Sequence, residues 1–339
     1  MKVTVNRKAP AAYTLARIRA RKSKLLKRGD YEKLLKMDIY TMLKTLEEIG
    51  YHLENIELTN PFEAIEEAVS RTLEREFAEL QNFVSGKRKE VLEAYLKRFD
   101  IENIKLILRC RARGVNIDSS LFFAAGRLSR EKLAELTNAD IERIIRMLSL
   151  PLRHGEIKAL ISAWEKGRIE EIENLIDRAY YGMLSQKIKS LRGREKILRH
   201  FVELRLDVMN TRVILRAKSM KLRKDELKNL LLPCGRINKK ELYSLFEADF
   251  EKIQEVFAKK WGIYIEKKPK SIGEFEKILE EHMLKFAEKL MHTSPFSAAP
   301  IIAYILMREA EVRNIRMIAR AKYYAVAEEE VRKSLVIWE

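Results

Sequence analysis

The stretch D-I-E-N-I-K-L-I-L-R-C-R-A at residues 100–112 has two further copies in this chain. The second is D-V-M-N-T-R-V-I-L-R-A-K-S at 207–219, and the third is E-V-R-N-I-R-M-I-A-R-A-K-Y at 311–323. Each copy has an acid, an Asn three residues later, a base two residues after that Asn and an Arg six residues after it. The Asn residues are 107 and 104 positions apart (210 − 103 and 314 − 210). Near-equal spacing in a fixed polar register indicates a triplicated unit.

The register continues on both sides of this motif. The matching positions are Glu66, Glu173 and Glu276 upstream, Gly126-Arg127-Leu128-Ser129 and Gly235-Arg236-Ile237-Asn238 downstream, then Asp38, Asp140 and Asp249. A fragment, Ile18-Arg19-Ala20-Arg21, also stands at the head of the chain. We therefore predict helical units at 1–113, 114–219 and 220–339. A period near 105 residues is domain-sized, and three such units can close into a ring or funnel. Closure would bring the N-terminal helix beside the last copy.

The composition favours an all-α fold. The 339 residues include 12 Gly and 7 Pro, few enough for long uninterrupted helices. Apolar residues recur with a period of 3.6, and sustained period-2 alternation is missing. The first ten residues have no apolar core of a signal peptide, and the apolar run 294–307 is too short to span a bilayer. We expect a chain without a membrane span.

The net charge of +17, from 67 bases and 50 acids, has two interpretations. It predicts an acidic partner, such as nucleic acid, anionic lipid or an acidic protein. Alternatively, 35% charged residues of both signs form an ion-paired surface of the kind found in thermophiles. The two cysteines, Cys110 and Cys234, occupy unmatched places in the repeats and predict no disulfide framework.

The motif itself also has two interpretations. In the first it is structural: a buried Asn amide satisfies neighbouring polar groups, and the acid helps to hold each unit together. This set comprises Asp100, Asn103, Asp207, Asn210, Glu311 and Asn314. In the second, pairs of bases four residues apart line a positive socket for a partner. That set comprises Lys105, Arg109, Arg212, Arg216, Arg316 and Arg320. If those Arg are paired internally, we expect each partner to be an acid of the same unit, such as Asp100, Asp207 or Glu311.

Catalysis finds little support in the sequence. The five histidines, His52, His154, His200, His282 and His292, form no metal-binding spacing and do not recur between units. Cys-x-x-Cys, Gly-rich phosphate loops and nucleophile elbows are missing as well. The tryptophans, Trp164, Trp261 and Trp338, are also unmatched between the units. We expect no catalytic residue, no metal and no cofactor.

The triplicated D-x-x-N-x-[KR]-x-I-L-R-x-[KR] pattern resembles the C subunit of archaeal-type (A-type, V/A-type) rotary ATPases, a family related to the d subunit of the V-ATPase. The resemblance includes Tyr13, the segment Arg17-Ile18-Arg19-Ala20 and the closing Glu309-Ala310-Glu311-Val312-Arg313-Asn314-Ile315-Arg316, and it covers essentially the whole chain. Two departures are mild: Glu311 replaces Asp, and Cys110 stands where Ala is usual.

This resemblance implies an all-helical funnel with pseudo-threefold symmetry. Such a funnel docks the central shaft onto the membrane proteolipid ring, on the cytoplasmic side, and contacts the membrane only through that ring. It transmits torque for ATP synthesis coupled to proton or sodium transport, and it has no chemistry of its own. The resemblance gives no residue-level partner contacts, so the socket residues rest on the physical argument alone. The alternative is a basic helical scaffold that binds nucleic acid.

Overall fold

Helix-favouring sequence with few breakers gives a chain in which every regular element described is helical. The structure is a computed structural model that describes residues 11–51, 60–233, 235–265, 269 and 271–337. Within those ranges it has no β-strand, so the predicted all-α class is confirmed. The first eight helices are α1 (Ala11–Lys22), α2 (Arg28–Lys36), α3 (Ile39–Glu48), α4 (Pro61–Phe83), α5 (Lys87–Ala112), α6 (Arg130–Leu136), α7 (Ile141–Leu148) and α8 (His154–Glu165). The next eight are α9 (Ile169–Lys189), α10 (Ile197–Ser219), α11 (Lys224–Leu230), α12 (Lys239–Glu247), α13 (Phe250–Trp261), α14 (Ile272–Thr293), α15 (Ala299–Tyr323) and α16 (Glu328–Ser334). His52, Cys234, Trp338 and the lysines 267, 268 and 270 lie outside the described residues.

Side-chain caps fix where many of these helices begin. Asn60 caps α4 and is followed by Pro61 at the first helical position, as the sequence predicts. The expected capping box of Asn238 and Glu241 is present at the start of α12. Ser129 and the three aspartates of the register, Asp38, Asp140 and Asp249, each accept a backbone N–H of the first turn that follows. These short polar residues satisfy N–H groups that have no partner within the helix, and so they fix where each helix begins.

One predicted boundary is wrong. Gly29-Asp30 reads in the sequence as a helix stop and restart, whereas both residues lie inside α2. The interruption comes earlier, between Lys22 and Arg28. Asp30 is the third residue of α2, and its carboxylate accepts the backbone N–H of Lys27 at 3.0 Å. An acid at this position stabilises a helix that has already begun.

The described chain divides into two compact units. One contains the described residues of Met1–Leu92 and Leu284–Glu339, and the other contains those of Glu93–Met283. In the first unit α15 is the central helix, and α1, α2, α3, α4 and α16 pack against it. In the second, α10 packs against α9, α11 and α12. The division into three units at 1–113, 114–219 and 220–339 stays a prediction.

The helices that carry the motif, α5, α10 and α15, end in the same way. Just beyond each one, a residue has left-handed backbone: Gly114 (φ 64°), Lys221 (φ 55°) and Ala325 (φ 53°). The next residue donates its N–H to a carbonyl five residues back, at 2.8–3.0 Å. This is the Schellman ending of a helix, and glycine is the residue that adopts it with least strain. The shared ending survives where Lys and Ala replace glycine.

None of the described helices combines the length and the apolar character needed to cross a lipid bilayer. The apolar segment of α15 is instead buried among protein side chains, with Ile301, Ile305 and Met307 fully enclosed. Its hydrophobic residues therefore contribute to the core of the first unit.

Candidate functional site

Each motif helix binds the chain around it through four contacts, and we call such a set a joint. The first joint surrounds Asp100 and Asn103 on α5, the second Asp207 and Asn210 on α10, and the third Glu311 and Asn314 on α15. The acid makes the first contact and the Asn the second. The bases five and nine residues after the acid together make the third, and the base eleven residues after the acid makes the fourth.

The Asn of each joint holds the backbone of one distant residue. Asn103 donates from Nδ2 to the carbonyl of Phe123 at 2.7 Å, and its Oδ1 accepts the N–H of Phe123 at 3.0 Å. Asn314 makes the same two bonds to Val336, at 2.8 and 3.1 Å. Each buried amide is therefore fully engaged by backbone, as the structural interpretation of the motif expects.

Asn210 in the second joint makes the equivalent contact with Leu232. Its Oδ1 accepts the Leu232 N–H at 2.8 Å, and its Nδ2 lies 3.4 Å from the Leu232 carbonyl. The side chain is completely buried. The residues held are 20, 22 and 22 positions after their Asn in the three joints.

The acids of the first two joints bind loop backbone. Asp100 accepts the N–H groups of Arg127 and Leu128, all at 3.0 Å. Asp207 accepts those of Gly235, Arg236 and Ile237 at 2.9–3.1 Å, and Trp261 Nε1 at 2.9 Å. Glycine at 126 and 235 permits this approach, since a Cβ at either position would lie 2.1 Å from its nearest neighbour. The nearest neighbour is Asp100 at 126, whereas at 235 it is the Glu203 carbonyl, with Asp207 at 2.5 Å. The repeated glycine therefore leaves room for the repeated acid and, at 235, also for the backbone of α10.

Glu311 completes the third joint with a different environment. Its Oε2 accepts the N–H of Leu26 at 2.6 Å, and its Oε1 accepts the hydroxyl of Tyr51 at 2.6 Å and the guanidinium of Arg308. In the repeated loop, Leu128 and Ile237 stand two residues after Gly126 and Gly235. Leu26 takes the same place, with Lys24 where those loops have glycine. The third acid therefore binds the same loop position, but in a segment from the head of the chain.

Burial raises the pKa of all three acids. For Asp207 it raises the pKa to about 6, despite the opposing effect of the N–H groups of Ile237 and Arg236. Burial also raises the pKa of Asp100, opposed by the N–H groups of Arg127 and Leu128. It raises the pKa of Glu311 as well, against the lowering effect of Arg308.

Each outer motif base pairs with a glutamate on another long helix. Arg109 binds Glu173 on α9, Arg216 binds Glu276 on α14 at 3.1 Å, and Arg320 binds Glu66 on α4 at 3.2 Å. The partners expected from the sequence, Asp100, Asp207 and Glu311, are therefore wrong, because those carboxylates already hold loop backbone. The true partners are the three glutamates that the sequence register had aligned without assigning them a role.

The other base of each pair is the more buried one. Lys105 lies 3.1 Å from Asp177, Arg212 3.0 Å from Glu280, and Arg316 2.6 Å from Ser70. These partners stand four residues after Glu173, Glu276 and Glu66, one helical turn along the same face. The side chains of Arg109, Arg216 and Arg320 are 43%, 61% and 62% exposed, whereas that of Lys105 is 7% exposed.

A fourth contact recurs that the sequence does not reveal. The base eleven residues after each acid donates to the carbonyl of the residue that precedes a capping aspartate. Arg111 binds Ala139, Lys218 binds Ala248, and Lys322 binds Met37. Each motif helix is thereby fastened to the start of the helix that the aspartate caps, namely α7, α13 and α3.

The partners of the joints follow a cyclic order in the sequence. Those of the first joint lie at 123–177 and those of the second at 232–280, after their motif helices. For the third joint, Val336 follows the helix, but the remaining partners return to residues 26–70 at the head of the chain. The third joint is therefore completed by segments that lie before and after the rest of the described chain.

The described residues contain no group of three or more His, Cys, Asp or Glu side chains arranged to hold a metal ion. The carboxylates of the joints are each engaged by N–H groups or bases. What the joints do chemically is fix the positions of helices.

Comparisons with known proteins show which sequences this chain is similar to. A sequence profile of the family described as ATP synthase (C/AC39) subunit matches residues 14–334. The chain is 31% identical over 340 residues to the C subunit of the A-type ATP synthase of Methanococcoides burtonii, in an alignment that covers 96% of this chain and 94% of that protein. It is 29% identical to the proteins of the same name from Haloferax volcanii and Methanosarcina mazei, over 96% of this chain and 97% and 92% of those proteins.

Proposed function

Since this chain belongs to the ATP synthase (C/AC39) subunit family, we propose that it is the adaptor that docks the central shaft of an A/V-type ATP synthase onto the membrane proteolipid ring. In this role it turns with the rotor on the cytoplasmic side of the membrane and passes torque between the two parts. It thus couples ATP synthesis or hydrolysis to proton or sodium transport without catalysing a reaction itself.

The observation that carries this proposal is the cyclic order of the joints. Three equivalent sets of contacts, with the third completed from the head of the chain, are what a closed pseudo-threefold funnel requires. A closed body can receive a shaft along its axis and sit on a ring at one end. We propose this arrangement of the three repeats on the strength of those contacts.

The ion-paired joints suit a part that transmits torque. Each one links a motif helix to the long helix of another repeat by two bases facing acids or a hydroxyl one turn apart. Contacts of fixed geometry resist sliding of one helix past another better than apolar packing, which has no preferred direction. The pairs also neutralise basic side chains that a nucleic-acid-binding scaffold would present to phosphates. Their presence therefore disfavours the alternative that the chain binds nucleic acid.

The outer bases are our candidates for contact with the shaft. Arg109, Arg216 and Arg320 keep about half of their side-chain surface exposed while one edge binds its glutamate. Charges at such a rim mainly change the association rate and its dependence on salt. The inner set of Lys105, Arg212 and Arg316 is more enclosed, and we assign it to the joints.

The proposal is tested by measuring association of this chain with purified shaft subunits and with the proteolipid ring in nanodiscs. We expect the wild-type chain to bind both. The variant Arg109→Gln/Arg216→Gln/Arg320→Gln keeps polar side chains of similar length, and it should associate with the shaft several-fold more slowly at ~20 mM salt. The difference should shrink as salt shortens the screening length to below ~10 Å.

A matched control removes the same charge elsewhere. Lys189, Arg192 and Lys196 are exposed bases around the turn between α9 and α10, and their replacement by Gln should leave the shaft association rate unchanged. If both triple variants slow association equally, the effect depends on net charge alone, and the assignment of Arg109, Arg216 and Arg320 to the shaft contact is refuted. A wild-type chain that binds neither shaft nor ring would refute the proposed function.

A further inference from the structure

The third joint differs from the first two in how its parts are connected. Leu128 follows Asp100 by 28 residues and Ile237 follows Asp207 by 30, so one short stretch of chain supplies both sides of each contact. Leu26 and Glu311 are 285 residues apart. A short connection keeps the partners close even when the contact opens, whereas a long one does so weakly. The third joint therefore has to be held by other means.

A group of polar side chains, four of them buried and the fifth, Glu76, partly exposed, stands at this joint. Arg308 donates from Nη1 to the hydroxyl of Tyr51 at 2.8 Å and to Glu311, and from Nε to Glu76 at 2.8 Å. Tyr304 donates its hydroxyl to the other oxygen of Glu76. The group spans α15, α4 and the residue after Gly50, and all of it belongs to the first compact unit.

Four of these side chains are deeply buried, and their polar atoms have hydrogen-bond partners. Arg308 is 9% exposed, Glu311 2%, and the two tyrosines 1% each. Burial alone would lower the pKa of Arg308, but Tyr51, Glu311 and Glu76 raise it well above its usual value, so the guanidinium stays charged. The Arg308 guanidinium also lies 4.7 Å from the centre of the Tyr51 ring.

The equivalent positions in the other joints lack these groups. Three residues before the acid, where the third joint has Arg308, the first has Lys97 and the second Leu204. Ten residues after the paired glutamate, where the third has Glu76, the others have Met183 and Phe286. The buried group is thus an addition to the common joint, found where the chain is discontinuous.

We propose that Arg308, Glu311, Glu76, Tyr51 and Tyr304 form a clasp that replaces chain continuity at the third joint. With the clasp intact the two ends of the chain stay closed on each other. When it is weakened, this joint opens while the first and second stay formed. The proposal concerns this chain alone and does not depend on its partners.

Three backbone amides allow a comparison within one molecule. The N–H groups of Leu26, Leu128 and Ile237 occupy the same position in the three joints and each donates to the motif acid. Native-state hydrogen exchange of these amides, read by NMR or by fragmentation mass spectrometry, reports the opening of each joint separately. In the wild-type chain we expect similar protection at all three.

The variant Arg308→Met removes the centre of the clasp and keeps much of its volume. We expect exchange at Leu26 to accelerate at least tenfold, with Leu128 and Ile237 changing less than twofold. Lys97→Met is the matched control, because it removes a base from the same position of the first joint. It should change exchange at Leu128 less than threefold.

Tyr51→Phe provides a milder test, since it removes only the hydroxyl that joins Arg308 to Glu311. It should accelerate exchange at Leu26 several-fold and leave the other two amides unchanged. If Arg308→Met does not fold, Tyr51→Phe alone tests whether the clasp holds the third joint. Parallel acceleration at all three amides would mean that the group stabilises the whole chain and would overturn the clasp. Unchanged exchange at Leu26 in Tyr51→Phe would overturn it as well.

Discussion

The second and third joints solve the same packing problem with different chemistry. At the second, Asp207 is enclosed by N–H groups from a loop that follows its own helix within 30 residues, and a tryptophan supplies the last donor. At the third, Glu311 receives one loop N–H and turns its other oxygen to Tyr51 and Arg308. Where the chain is continuous, backbone donors suffice. Where it is not, side chains with full charges take their place.

Removal of Arg308 should have the largest effect on stability. Arg308→Met leaves Glu311 buried without its cation, whereas Glu76 keeps Arg21 at 3.4 Å. Breaking a buried ion pair such as Arg308–Glu311 costs about 3–5 kcal/mol. We expect the free energy of unfolding, measured with urea, to fall by that amount. Lys97→Met should cost less than about 1 kcal/mol, because Asp100 keeps its two backbone donors. If Arg308→Met and Lys97→Met lower the free energy of unfolding equally, the third joint does not depend on its charged side chains more than the first joint does.

The pH dependence of the free energy of unfolding should reveal the raised pKa of Asp207 in the second joint. The pKa of Asp207 is raised to about 6 in the folded chain, above the value near 3.9 of an unfolded one. The folded state then binds more protons than the unfolded state between those values. The Asp207 contribution is therefore most favourable below about pH 4 and is lost as pH rises to about 6, a decrease of up to about 3 kcal/mol.

Asp207→Asn cannot ionise and should remove this part of the pH dependence. The measurement is the free energy of unfolding of both proteins at several pH values from about 4 to 7, with the slopes compared instead of the absolute stabilities. Burial also raises the pKa of Asp100 and Glu311, so a residual slope of the same sign is expected in the variant. Identical slopes in the two proteins would contradict the raised pKa.

The positions of the repeated residues could be predicted from the sequence, but most of their partners could not. The composition and the 3.6-residue apolar period predicted the all-α class, capping residues predicted several helix starts, and the motif predicted the buried environment of Asn210. The register of the three copies aligned Glu66, Glu173 and Glu276, although it could not tell that they face the motif bases, since the pairing needs the packing of two helices. Arg308 and Tyr51 left no signal, because each occurs at one joint only.

The Asn contacts should give the smallest and most uniform effect. Asn210→Leu and Asn314→Leu each leave the N–H and carbonyl of one buried residue unpaired, at a cost of about 1–3 kcal/mol. Because this contact is common to the joints, the two variants should lower the thermal midpoint by similar amounts. Exposed Asn138 provides a control, and its replacement by Leu should leave the midpoint nearly unchanged. A much larger loss for Asn314 alone would show that the Asn contact, too, differs at the third joint.

The distance of 285 residues between Leu26 and Glu311 has a consequence for synthesis on the ribosome. At translation rates of about 5–20 residues per second, the segment around Leu26 emerges roughly 14–57 s before α15 can reach it. Leu25 and Leu26, both buried in the finished protein, have to wait through that interval without their final partner. This segment is made early but is among the last to meet its partner, so a chain truncated before α15 leaves Leu26 without Glu311, however well its middle has folded.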